Sequence, residues 1–357
     1  MKVIRSLIAA TTALTVSAAN ATDLEVMHWW TSGGEAAAVN EFAKAFNATG
    51  NNWVDAAIVG GEQARSVMVS RILGGDPMGA FQFNHGRQAE ELIEAGVLRD
   101  ITDIAEAEGW TSMVNPPSLL AACTVDGRVY CAPVNIHSWQ WLWLSHKAYS
   151  DAGVDVPTNW DEFVAAAPAL EKAGILPMAM GQQGWQQSGA FNVFMASLLP
   201  SEVFMSVYGD KDTAVAGGAD VAKVFKAASD ARAMAANSTV QNWNDATNLV
   251  ITGKAGGQIM GDWAQGEFSV AGSVAGKDYS CLPGLGSNPR LSTGGDAFYF
   301  PVLKDAAQIK AQTELATLML KPDTQVAFNL KKGSLPVRGD IDLSAANDCM
   351  QKGLGLL

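Results

Sequence analysis

Three short segments pair aromatic rings with acids and small polar residues, and a fourth adds lysines. They are His28-Trp29-Trp30-Thr31-Ser32-Gly33-Gly34-Glu35, Gly256-Gly-Gln-Ile-Met-Gly-Asp262-Trp263-Ala264, Gly294-Gly-Asp296-Ala-Phe298 and Lys331-Lys332-Gly-Ser-Leu-Pro-Val-Arg338. Flat aromatic plates beside acids suit an uncharged, hydroxyl-rich ring. Its C–H faces lie against indole, while a carboxylate accepts from two adjacent hydroxyls in charge-assisted hydrogen bonds. Each segment also has a plainer reading. Glu35 complements the dipole of the helix it opens, Trp263 fills a core, and Lys332 is a solvated charge at a helix end. Covalent chemistry is poorly represented. The chain has no G-x-S-x-G, no Walker A, no G-x-G-x-x-G opening a helix and no H-E-x-x-H, and histidines 28, 85, 137 and 146 lack metal-ligand spacing. Acidic residues are numerous enough for a glycosidase-type carboxylate pair, but no spacing singles one out. No cofactor is expected.

The elements that would position these residues are of α/β type. Asp23–Trp30, Val54–Val59 and Gly79–Phe83 read as strands. Helices fit a start at Glu35 with Val39, Phe42 and Phe46 on one face, then 63–73, 88–95, 160–173, 220–235, 305–320 and 324–330. Strands alternating with helices imply βαβ units and a largely parallel sheet. Trp139, Trp141 and Trp143 alternate in one extended run, which places them on one face of a strand, and a packed sheet face is the simplest use for them. At 357 residues the chain is long enough for about two domains. Its 48% hydrophobic content, with only 17% charged residues, excludes a disordered acidic chain, and a net charge of −12 argues against a nucleic-acid partner. Tryptophan is over-used, with 11 against 13 Phe and 5 Tyr.

Residues 1–21 read as an export signal. Lys2 and Arg5 precede a short apolar stretch, Leu7–Val16, and Ala19-Asn-Ala21 supplies the cleavage pattern, so a mature chain starting at Thr22 in the periplasm is expected. Export permits disulfides. Cys123 and Cys131 flank an Asp126-Gly127 hairpin turn, which favours their pairing and leaves Cys281 for Cys349; four free buried thiols is the alternative.

The stretches VMHWWTSGGEAAAVN, YCAPVNIHSWQWLW, GVDVPTNWDEF, GKAGGQIMGDWAQGEF and FNLKKGSLPVR occur in that order over the mature chain. In them the sequence resembles the periplasmic sugar-binding proteins of bacterial ABC importers. More narrowly, it resembles the glucose/mannose-type binders of the family 1 extracellular solute-binding group. The resemblance implies that Trp29, Trp30 and Glu35 line a sugar site from one lobe, and that Trp263 is the stacking plate from the other. Asp296 would be the hydroxyl-binding acid, with Lys332 as its basic partner and His85 nearby. It also implies a two-lobed α/β periplasmic-binding-protein fold of type II-like form, with an interlobe cleft and hinge crossovers. Residues 22–134 plus 299–330 would form lobe 1, and 139–296 plus 334–357 lobe 2. Crossings are expected near Val134–Ser138, Gly294–Phe298 and Lys331–Pro336. Relatives run further at the C-terminus, so the chain reads as shortened there. The expected partners are a monosaccharide, glucose- or mannose-like, and membrane permease subunits, with a monomeric receptor; an oligosaccharide or polyol is the rival ligand, and an exported carbohydrate-active enzyme the rival class.

Enclosure follows from magnitude. Micromolar affinity needs about −8 kcal/mol, or roughly 0.7 kcal/mol for each heavy atom of a hexose. Such efficiency calls for contacts on both faces and around the hydroxyl rim. A missing hydroxyl then strands a buried polar partner, which is the source of selectivity.

Overall fold

The computed structural model describes residues 21–292 and 294–357; the expected signal segment lies outside these apart from Ala21. Strands β1 (Asp23–His28), β2 (Asn52–Ala57) and β3 (Ala80–Asn84) begin the first sheet. The helices Gly33–Asn47 and Gly61–Leu73 connect them, and β1 pairs in parallel with both neighbours, as helical crossovers demand. A hairpin of β4 (Thr124–Val125) and β5 (Arg128–Val129) follows. Its two turn residues, Asp126 and Gly127, have φ of 51° and 76°, the left-handed pair a two-residue hairpin loop requires. The hairpin brings Cys123 and Cys131 together in a disulfide; Cys281 is joined to Cys349.

Strand β6 (Cys131–Pro133) ends the first passage through this sheet. The chain then builds a second sheet from β7 (Trp141–Ser145), β8 (Leu176–Met178), β9 (Ala255–Ile259) and β10 (Tyr279–Pro283). It returns as β11 (Asp296–Tyr299). The strand orders are β2-β1-β3-β11-β6 and β10-β7-β9-β8.

The expectation of largely parallel sheets needs correction. In the second sheet only β8 and β9 run parallel, because β7 is antiparallel to both β9 and β10. In the first, β11 is antiparallel to β3 and β6. A single helical crossover forces parallel pairing, but β6, β7 and β11 lie where the chain passes between sheets, so no such connection dictates their direction.

The three stretches expected as crossings lie side by side. Ile136 and Leu335 exchange backbone hydrogen bonds of 2.7 and 3.0 Å, His137 N donates to Gly294 O, and Val134 N donates to Asp296 O. Of the alternating tryptophans, Trp141 and Trp143 do share one buried face of β7, their rings stacked at 5.8 Å. Trp139 does not join them. Trp141 N donates to Trp139 O, a tight bend that ends the strand and turns the Trp139 ring edge-on to Trp185 at 5.5 Å.

One core surrounds the first sheet, and two apolar layers cover the second. Within the first, Phe42 of the helix Gly33–Asn47 stacks on Phe328 of the helix Pro322–Lys332 with centroids 4.2 Å apart. This contact lays the start of one helix beside the end of the other. It thereby brings Glu35 and Lys332 together, although they are nearly three hundred residues apart in sequence.

Candidate functional site

The helix Gly33–Asn47 starts with a Ser-x-x-Glu pattern. Ser32 Oγ accepts from Glu35 N and donates to Glu35 Oε2 at 3.2 Å, fixing the acid in the first turn. Lys332 occupies the last turn of its own helix, which Gly333 ends with φ of 83°; a side chain there would also collide with Gln265. The Lys332 ammonium lies 3.3 Å from Glu35 Oε1, and both side chains are buried. It also sits 5.7 Å from the ring centroids of both Trp30 and Trp263, a cation shared between two indole faces. Burial raises the Glu35 pKa, with Asp296 adding to the rise and Lys332 opposing it.

Asp296 is the first residue of β11 and is almost fully buried. Gln82 donates to its Oδ1 and Asn135 to its Oδ2, each at 2.9 Å, and His137 Nδ1 lies 3.4 Å from Oδ2. Burial works against this charge. His137 above all, then Lys332 and the hydrogen bonds, hold the carboxyl below the usual Asp range. Asp296 therefore stays an acceptor at any physiological pH.

Trp263 follows β9 and meets the site edge-on to Trp139 at 4.9 Å and to His137 at 5.4 Å. Its ring lies so close to Gly261 that a Cβ there would sit 2.1 Å from it. The neighbouring Asp262 anchors the crossing: its Oδ2 accepts from Ser138 N at 2.8 Å and Ser138 Oγ at 2.9 Å, while Oδ1 is buried with no partner among the described residues. Burial pushes this carboxyl up to about 7. A group whose acid form is favoured by folding stabilises the native state at low pH. That contribution is lost as pH rises from the unfolded value near 4 through 7. Asp262→Asn removes the penalty of a buried anion. Its melting temperature relative to the parent is therefore expected to rise between pH 5 and pH 8, by an amount equivalent to about 1–3 kcal/mol. Thermal denaturation at the two pH values checks this, and a constant offset would dismiss the role of ionisation.

These side chains face a cleft of about 530 Å³ whose walls include Trp29, Trp30, Glu35, Trp263, Asp296 and Lys332. Of the residues singled out from sequence for ligand binding, the structure brings these six together. His85 is the exception: its side chain is not part of the wall. Its Nε2 is buried with no partner among the described residues and lies 3.1 Å from where a Cβ on Gly295 would be. Burial, then the nearby His137, lower its pKa.

Several wall residues were not singled out from sequence as ligand contacts. His137 and Trp139 come from the crossing, and Gln183, Trp185, Asn242 and Trp243 from the second lobe. Behind the wall, Gln82 and Asn135 hold Asp296. A signal for two of them existed. Asn135 and His137 interrupt the apolar run Ala132–Leu144 at alternate positions, where a buried strand has little use for polar side chains.

Two mixed α/β sheets that share a hydrogen-bonded crossing, with aromatic and ionised side chains converging between them, define a two-lobed receptor for a small solute. The comparisons agree. The family model for bacterial extracellular solute-binding proteins matches residues 30–326, and the chain belongs to that family. A protein of Brucella melitensis described as "probable sugar-binding periplasmic protein" is 36% identical over 336 residues, covering 93% of this chain and 79% of its own length. One of the same description from Rhizobium meliloti is 35% identical over 346 residues, covering 96% and 82%. Among solved structures, a chitin oligosaccharide binding protein superposes with a TM-score of 0.74 at 19% identity, covering 93% of this chain and 86% of its own. The bacterial solute receptor AcbH, described as preferring β-D-galactopyranose, does so with a TM-score of 0.72 at 18% identity, covering 94% and 85%. The chain is thus a binding protein rather than an enzyme.

Proposed function

We propose that this chain is the periplasmic receptor of an ABC sugar importer, exported after cleavage behind Ala21. It holds one neutral monosaccharide of glucose or mannose type between its lobes and presents it to membrane permease subunits. The observation that carries this reading is the meeting of Trp30, Glu35 and Lys332 with Trp263 and His137 around one hollow. Trp263 is the stacking plate. Glu35 and Asp296 accept from ring hydroxyls, and Lys332 donates to them. The Lys332 ammonium offsets the Glu35 carboxylate and His137 faces Asp296, which suits an uncharged ligand. The descriptions of the curated relatives support a sugar. His85 is given no contact, and His137 takes the position facing Asp296. We further propose that 22–134 with 299–330 move as one lobe and most of 139–296 as the other, the three crossings serving as hinge. Asp296 and Val337, expected in the second lobe from sequence, instead pair with Asn84 and Asn115 of the first.

The cleft volume favours a second reading, a short oligosaccharide, because 530 Å³ exceeds the needs of one hexose ring. A thermal-shift panel of glucose, mannose, galactose, xylose, maltose, chitobiose and sorbitol separates the two. A ligand at one hundred times its Kd stabilises by about 2.7 kcal/mol. A melting shift of several degrees with glucose or mannose, confirmed by calorimetry, is expected. Shifts confined to maltose or chitobiose would replace the monosaccharide with an oligomer, and none with any sugar would end the proposal.

A further inference from the structure

Three segments that are remote in sequence and each contribute to the cleft wall meet at one point with no side chain between their backbones. Gly34 N, in the first turn of the helix Gly33–Asn47, donates to Glu267 Oε1 at 2.7 Å. Glu267 belongs to the helix Ala264–Val270, which follows β9 of the other sheet. A Cβ on Gly34 would lie 2.4 Å from the carbonyl carbon of Gly266. One on Gly266 would lie 3.0 Å and 3.2 Å from the carbonyl oxygens of Lys331 and Lys332. The close approach therefore requires glycine at 34 and leaves a side chain at 266 only a tight fit.

Each of the three strands of this knot carries a cleft residue within three positions. Glu35 follows Gly34, Trp263 precedes Gly266 by three residues, and Lys332 supplies its own carbonyl. Ser32 satisfies the Glu35 N–H, and Glu267 satisfies the Gly34 N–H beside it, so the helix start is capped once from its own lobe and once from the other. A carboxylate on the positive end of a fifteen-residue helix makes a strong, directional junction. Glu267 is not among the residues lining the cleft.

We propose that Glu267, together with the Gly34–Gly266 contact, is a positioning residue of the binding site: an interlobe pivot that sets the separation of the Trp263 plate from the Glu35–Lys332 pair. The part of this inference that concerns affinity rests on the sugar reading above; the part that concerns lobe geometry does not. The lobes turn about the knot, and the carboxylate keeps the helix bearing Glu35 in register with the loop bearing Trp263.

The test compares Glu267→Ala with Glu267→Gln in the full chain, Gln retaining an acceptor for the Gly34 N–H. Nitroxide labels replace the exposed Gln63 and Gln187 through cysteine substitutions, one near each side of the cleft, and their separation is measured by pulsed electron resonance without ligand. Affinity is read by calorimetry with the sugar that shifts the parent protein most. Glu267→Ala is expected to broaden or displace the distance distribution and weaken binding about tenfold or more. Glu267→Gln should keep the parent distribution and bind within about threefold of it. A parent-like distribution in Glu267→Ala overturns the pivot, as does equal damage in both variants. A lowered melting temperature with unchanged distances and affinity would reduce Glu267 to fold support and also overturn it. Should the parent bind no sugar, the sugar reading fails by itself and the distance measurement still decides the pivot.

Discussion

Trp263→Ala is expected to weaken sugar binding by about two orders of magnitude, equivalent to about 2–3 kcal/mol. The ring is 7% exposed and is held on edge by Trp139 and His137, so it is already oriented before any ligand arrives. A pre-set plate spares the ligand the ordering cost that a mobile side chain would impose. Alanine removes that face, and it also removes one of the two indoles flanking the Lys332 ammonium. Because Trp263 belongs to a buried apolar cluster, truncation is also expected to lower stability by about 3 kcal/mol or more. Trp263→Phe separates the two effects: it retains an aromatic face and most of the packing and should bind within about tenfold of the parent. Calorimetry, with circular dichroism to confirm folding, reads the outcome. Equal affinity in parent and alanine variant would remove Trp263 from the site.

Lys332→Met tests the other half of the wall and should be strongly destabilising. Lys332 is 2% exposed and faces a buried Glu35, so methionine leaves a carboxylate without its counter-charge. Breaking a buried pair from one side costs about 3–5 kcal/mol, a fall of roughly 5–15 °C in melting temperature for a chain of this size. The sign of its pH dependence follows from Glu35. Burial already raises that pKa, and loss of the opposing ammonium raises it further. The variant's deficit should therefore be largest at neutral pH and shrink as acid neutralises the orphaned group. Glu35→Gln added to Lys332→Met should recover much of the loss, since a neutral amide has no need of the ammonium. A double variant no more stable than Lys332→Met would show that the pair does not act as a unit. Sugar binding should remain impaired in both.

Much of this architecture can be read locally. The Asp126-Gly127 turn sits between β-formers, so the Cys123–Cys131 disulfide was accessible from nine residues of sequence. The helix carrying Glu35 is announced by the spacing of Val39, Phe42 and Phe46 and by Ser32 three residues before the acid. The glycine-rich and polar segments that hold Trp29, Trp30, Glu35, Trp263, Asp296 and Lys332 stand out by composition, and the resemblance to the sugar-binding family is what singles out these six within them.

Strand direction was not readable in the same way. Hydrophobic alternation reports that a segment is a half-buried strand, but it is silent on the neighbour and its polarity. β7 and β11 consequently came as antiparallel members where βαβ spacing suggested otherwise. Trp139 shows the same limit at one residue. The alternation Trp139-Trp141-Trp143 places all three on one face only if the strand continues, and a bend between 139 and 141 sends the first into the cleft. His85 and His137 are the clearest pair: both are histidines beside Asp296, and only the registry of the crossing against β11 decides which one reaches the wall.

The chain's own order of residues therefore determines the materials: which segments become helices or strands, which carry indole, carboxylate and ammonium, and that the net field suits no polyanion. The folded arrangement alone decides that Glu35 meets Lys332, that Asp296 is held by Gln82, Asn135 and His137, and that glycines let two helices touch at Glu267. The division has a physical cause. Local periodicity and turn chemistry act over a few residues, whereas a binding cleft is made of contacts spanning one to three hundred residues. Those contacts are selected by packing the whole core at once.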